Sequence, residues 1–248
     1  MKLISNLSRG AALAVTGTLL LPAVTFAAPK TDKQSGFCKG LAARAAAAQD
    51  QTNNFEAKVK QTWATQDQTQ AVQAQSVDTA VASQRAEADT KLETELAKVE
   101  AAATTNSQKQ AVATYRAAVK KAVADRRAAY DAARQTFRAG VSAATQSQRQ
   151  SALNKIAAYK ASSAEALASA SSTCGSAGTT DASIRSNLKA ALKENHKDFK
   201  AQEKTKPAGQ QVKSLAQARK DAFKAADDAF HKAMTAAHDQ LKAALTNE

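Results

Sequence analysis

The sequence predicts an all-α protein: a long antiparallel helical hairpin of coiled-coil character, stapled by a disulfide, followed by a shorter C-terminal helical hairpin. Apolar residues recur at three- and four-residue steps through most of the chain, as one face of a helix requires. Ala, Gln, Lys and Arg dominate, all strong helix formers, while Pro occurs only three times. Two cysteines, Cys38 and Cys174, stand symmetrically about a turn near residue 106. Aromatics make up only 4% of the chain, too little large apolar volume for a thick globular core. Alanine seams, which let helices approach closely, suit a slim helical rod better.

Residues 1–27 have the three parts of a secretory signal peptide: Lys2 and Arg9, an apolar run from Ala11 to Val24, and Phe26-Ala27 at the cut. The run is shorter than the roughly 20 residues of a membrane span, and no later segment is apolar enough to cross. A secreted chain, periplasmic or extracellular after cleavage near Ala27, is the expectation. A short N-terminal segment, residues 28–37, follows.

The hairpin occupies residues 38–174. Its first arm carries Phe37, Leu41, Ala45, Ala48, Phe55, Val59, Val77, Val81, Ala88, Leu92, Leu96 and Val99 in helical steps. From Trp63 to Ser76 the chain is Gln- and Thr-rich and the pattern fades. A turn falls at residues 104–107, where Ser107 and Gln110 fit a capping box. The second arm carries Val112, Tyr115, Val119, Val123, Tyr130, Ala133, Phe137, Val141, Leu153, Ile156, Tyr159 and Leu167, with Gly140 inside it as a local weakness. Folding back at the turn brings Cys38 to Cys174, and facing residues then have numbers totalling about 212, with each arm on the order of 100 Å long. Tyr130 should meet the Val81 layer, Val141 should meet Val72, and Phe55 should lie near Ile156 and Tyr159. Glu87, Asp89, Glu93, Glu95 and Glu100 should face Arg116, Lys120, Lys121, Arg126 and Arg127.

Residues 175–180 read as a Gly/Ser/Thr linker, with Thr180 or Asp181 capping the next helix. The C-terminal two-helix segment, residues 181–248, carries Ile184, Leu188, Leu192, His196 and Phe199, then a break at Lys206-Pro207-Ala208-Gly209, then Val212, Leu215, Phe223, Phe230, Met234, Leu241 and Leu245. The short linker favours packing of this segment on the base of the long hairpin.

Motifs narrow the function by what they exclude. The sequence holds no Gly-rich phosphate loop, no nucleophile elbow, no His-Glu-x-x-His and no C-x-x-C pair, so neither catalytic nor metal residues are assigned and no cofactor is expected. His231, Met234 and His238 share a helix region, but Met234 continues the apolar stripe and the histidines flank it. Asp227 with Asp228, and Glu93 with Glu95, read as solvated helix faces rather than an acid and base pair, which needs a pocket. The cysteines of a secreted chain read as a structural disulfide.

The formal net charge is +13, and loss of Lys2 and Arg9 with the leader leaves +11. Such a balance attracts anionic polymers without specificity. The excess is concentrated on the second arm, where Arg134, Arg138, Arg149, Lys155 and Lys160 form a possible polyanion-binding stripe. Its aromatics lie on the apolar face and not among the cations, so base stacking is not expected. In being secreted, basic and coiled-coil, the chain is superficially similar to the periplasmic tentacled chaperones of outer-membrane proteins, a similarity of composition that no motif carries. Three readings follow: a noncatalytic envelope or extracellular module that binds other proteins through helix faces, a holdase chaperone, and a nonspecific binder of anionic polymers or membrane surfaces.

Overall fold

The computed structural model describes residues 36–174, 176, 178–203 and 207–246. The signal-peptide reading of residues 1–27, its cut after Ala27 and residues 28–35 lie outside these, as do linker residues Gly175 and Ala177. The described residues form one 3₁₀ turn, Phe37–Gly40, and four α-helices: α1 (Leu41–Ala101), α2 (Asn106–Thr173), α3 (Asp181–Glu203) and α4 (Pro207–Thr246). Among them no strand occurs. The long antiparallel hairpin of α1 and α2 is present, and Cys38 is bonded to Cys174 with their Cα atoms 5.7 Å apart.

The turn occupies residues 102–105, and its chemistry differs from the expected Ser107 box. Thr105 is the cap: its hydroxyl accepts from the Gln108 N–H at 3.1 Å. The Gln108 side-chain oxygen returns the bond, accepting from the N–H groups of Thr105 at 3.2 Å and Thr104 at 2.9 Å. Thr105-x-x-Gln108 is thus the capping box, starting α2 one residue after Thr105. Thr180 plays the same part for α3, exchanging bonds of 3.2 Å with Ser183. Pro207 does not interrupt a helix but opens one, because the first helical position needs no N–H.

The described chain divides into two compact units, and α1 and α2 contribute to both. The first holds the residues up to Thr62 and Gln148–Gly209. Its core gathers Phe37, Leu41, Leu167, Ala170, Ile184 and Leu188 around the disulfide, and farther along, Ile156, Tyr159 and Phe199 with Phe55. The predicted meeting of Phe55 with Ile156 and Tyr159 is therefore observed. The third helix lies on the base of the hairpin, as its short linker requires.

The second unit holds Trp63–Ser147 with the chain from Gln210 onward, so α4 packs here and the expectation of a base position holds for α3 alone. Leu96, Val112, Val119, Ala122 and Ala144 of the two arms are buried in this unit, as are Ala226 and Ala237 of α4. The Gln-rich stretch of α1 is helical throughout. Its inward side presents half-buried Trp63, Gln66, Gln70 and Ala74 at helical steps, so glutamines occupy positions where the sequence pattern looks for apolar residues. Val72 falls across the helix from Gln70 and is 62% exposed, which corrects its expected pairing with Val141. Tyr130, expected on the Val81 layer, stacks on Phe223 of α4 with ring centroids 4.3 Å apart.

Gly140, read from sequence as a weak point, marks a close approach. A Cβ there would lie 2.7 and 2.8 Å from the two methyl carbons of Leu215. The helix runs through unbroken, and the missing side chain is the space that Leu215 of α4 fills.

Candidate functional site

Three polar groupings carry most of the chemistry of the described residues. The first is a ladder of ion pairs between α1 and α2. In the second unit Arg85 binds Asp131 through two bonds of 2.9 and 2.8 Å, Arg127 binds Asp89 at 3.0 and 2.7 Å, and Arg138 binds Asp78 at 2.7 and 2.6 Å. Arg116 reaches both Glu93 and Glu100 at 2.6 Å, and Lys120 reaches Glu93 at 2.7 Å. In the first unit Lys160 binds Glu56 and, at 2.9 Å, the Asn53 side chain. Most of these pairs have residue numbers totalling about 216, one turn beyond the cysteine register. The offset follows from geometry: side chains lean toward the N-terminus of their own helix, which in antiparallel helices displaces partners in opposite directions.

The ladder accounts for the displaced carboxylates. Lys160, then Lys60, holds Glu56 down to about 2, and Arg85, with Arg134 beyond it, holds Asp131 at about 2. Arg138 lowers Asp78, Arg127 lowers Asp89 and Lys120 lowers Glu93. Of the predicted facing charges, Glu95 instead pairs with Lys98 along α1, Lys121 with Asp125 along α2, and Arg126 turns to α4.

That turn creates the second grouping, a clasp between α2 and α4 within the second unit. Arg126 donates to the Asp227 carboxylate from Nε at 2.7 Å, and the Tyr130 hydroxyl donates to the other carboxylate oxygen at 2.7 Å. The guanidinium stands 5.2 Å from the Tyr130 ring centroid and 5.0 Å from that of Phe230. Burial, reinforced by the carboxylate, pushes the Tyr130 phenol up, keeping it a donor. A second cation, Arg219 of α4, lies 4.2 Å from the Phe137 ring centroid. The sequence does contain a signal for the clasp: Asp227 falls between Phe223 and Phe230 at helical steps, a carboxylate on an apolar stripe. Its neighbour Asp228 is exposed and pairs with Lys224.

The third grouping surrounds the disulfide. The Phe37 N–H donates to the Asp181 carboxylate, joining the start of α3 to the first turn of the hairpin. The guanidiniums of Arg44 and Arg185 lie 5.2 and 5.3 Å from the Phe37 ring centroid.

Of the five residues of the possible polyanion stripe, Arg138 and Lys160 are turned onto α1 carboxylates and Arg134 onto Asp131 of its own helix. Arg149 and Lys155 are half-buried along α2. His231 and His238 are exposed and Met234 is half-buried in the α4 stripe; His196 is half-buried on α3. Among the described residues no group of three His, Cys, Asp or Glu side chains is placed to hold a metal ion. Comparison with protein-family models, curated proteins and solved structures finds no match.

Proposed function

We propose that the chain is a secreted, noncatalytic coiled-coil protein of the cell envelope or exterior, acting as a structural or protein-binding module. The observation that carries this reading is the use of its ionisable groups. Among the described residues, each carboxylate whose pKa is lowered has as its leading partner a cation on the other arm of the hairpin, which is the chemistry of a scaffold. The disulfide supports secretion, since such bonds persist in oxidising compartments. No described helix is long and apolar enough to cross a membrane. The electrostatic reading along α2 is less favoured because three of its five stripe cations, Arg134, Arg138 and Lys160, are engaged by carboxylates of the hairpin.

The test has two parts. Full-length chain expressed in a bacterial host should be recovered from the envelope or medium as a mature, oxidised species beginning near residue 28; uncleaved protein with free thiols in the cytoplasm contradicts secretion. The purified protein should leave the light scattering of a thermally unfolding client unchanged, whereas suppression at stoichiometric ratios would replace the module with a holdase.

A further inference from the structure

We propose that the outer edge of α3, formed by Arg185, Lys189, Lys193, Lys197 and Lys200, is a docking surface for a linear phosphodiester polymer held through its backbone. All five side chains are exposed. The first four recur every fourth residue, so they form one row with neighbours about 6 Å apart, on the order of 20 Å long. At 100° per residue the acids between them, Glu194 and Asp198, project to the opposite side of the row from the buried Ile184, Leu188 and Phe199. Lys197 reaches Glu194 at 2.8 Å, but Lys189 and Lys193 have no acid three or four residues away in either direction. On α2, by contrast, Arg116, Lys120, Arg127, Arg138 and Lys160 are each held by a carboxylate of α1. The row is also extended: Arg44 joins Arg185 over the Phe37 ring, placing two like charges at its start.

The chemistry selects the partner. Lysines bind phosphate as point charges and ask for no fixed bidentate geometry, so successive phosphates of a flexible backbone can each satisfy one. The single-file arrangement matches a linear polyanion. A bilayer would also draw on the apolar face of α3, which is already buried in the first unit. Phe199 of α3 is 5% exposed and the His196 ring is half-buried, so no fully exposed aromatic face lies along the row and binding is expected to be independent of sequence.

The probe is a fluorescein-labelled 20-base-pair DNA duplex of mixed sequence, titrated with mature protein by anisotropy between 25 and 200 mM NaCl. With about four phosphate contacts, the logarithm of the affinity should fall with the logarithm of salt at a slope of roughly −4. Lys189→Gln, Lys193→Gln and Lys197→Gln together should reduce that slope by about 3 and weaken binding at 50 mM NaCl at least tenfold. The triple variant Lys213→Gln, Lys220→Gln and Lys224→Gln removes the same charge from exposed positions of α4 and should bind nearly as wild type. Unchanged circular dichroism melts verify both folds. Equal losses in the two variants would overturn the proposal in favour of bulk charge, as would absence of duplex binding at 25 mM NaCl. Capture by phosphatidylglycerol vesicles that displaces the duplex would overturn it in favour of a membrane surface.

Discussion

The contact between Gly140 and Leu215 sets two effects of similar size against each other. Replacing Gly140 by Ala in mid-helix stabilises α2 by about 1 kcal/mol through backbone entropy. The new Cβ would lie 2.7 and 2.8 Å from both Leu215 methyls and 3.3 Å from its Cγ, well inside an ordinary carbon contact. Rotation about the outer side-chain bond moves the methyls but leaves Cγ in place, so Leu215 must withdraw or α4 must shift. Overpacking of this kind costs about 1–3 kcal/mol. Gly140→Ala alone should therefore be neutral to destabilising by about 2 kcal/mol. In a Leu215→Ala background the obstruction is gone, and the same change should stabilise by about 1 kcal/mol. The coupling of about 1–3 kcal/mol is read from urea unfolding of the four proteins, followed by circular dichroism. If Gly140→Ala stabilises equally in both backgrounds, Leu215 does not occupy the gap and the account of α4 docking fails.

Other perturbations probe the remaining contacts. Opening the disulfide frees a loop spanning a sequence separation of 136 residues, so Cys38→Ser with Cys174→Ser should lower unfolding stability by about 5 kcal/mol on the chain-entropy estimate; urea unfolding checks it, and a loss under 1 kcal/mol contradicts that estimate. Tyr130→Phe keeps the Phe223 stack and removes only the bond to Asp227, costing about 1 kcal/mol, while Asp227→Ala strands the Arg126 guanidinium and should cost about 2–3 kcal/mol in the same assay. Acid should weaken the ladder in a defined window. Glu56 and Asp131 have folded pKa values lowered to about 2, so their contribution is fully present above their ordinary carboxylate range and is lost as pH falls from there toward 2. Melting temperatures measured from pH 6 to 2 should fall through this window, and Lys160→Met should flatten the Glu56 part of the fall.

The helices and their pairing were legible because they rest on local rules. Three- and four-residue apolar steps define a buried stripe, and the two cysteines, symmetric about a polar turn, leave one obvious way to fold back. The charge pattern was legible in outline for the same reason: acids on the first arm and bases on the second pair once the arms are antiparallel. Its details were not. Arg126 looked identical to Arg127, and only the arrival of α4 alongside α2 sends one to Asp227 and the other to Asp89. Val72 looked like core because valine is apolar, yet helical phase puts Gln70 and Ala74 inward and Val72 out.

By itself the sequence determined the helical class, the hairpin, its staple and the absence of familiar catalytic motifs, since periodicity, capping and symmetry act over a few residues or through one covalent bond. The tertiary structure alone decided where α4 packs, why Gly140 stands in a helix, and which cations of the arms join the ladder. These depend on which surfaces meet across long sequence separations, where the fit of Leu215 into a gap or Asp227 beneath a guanidinium is settled by three-dimensional packing that no local pattern records.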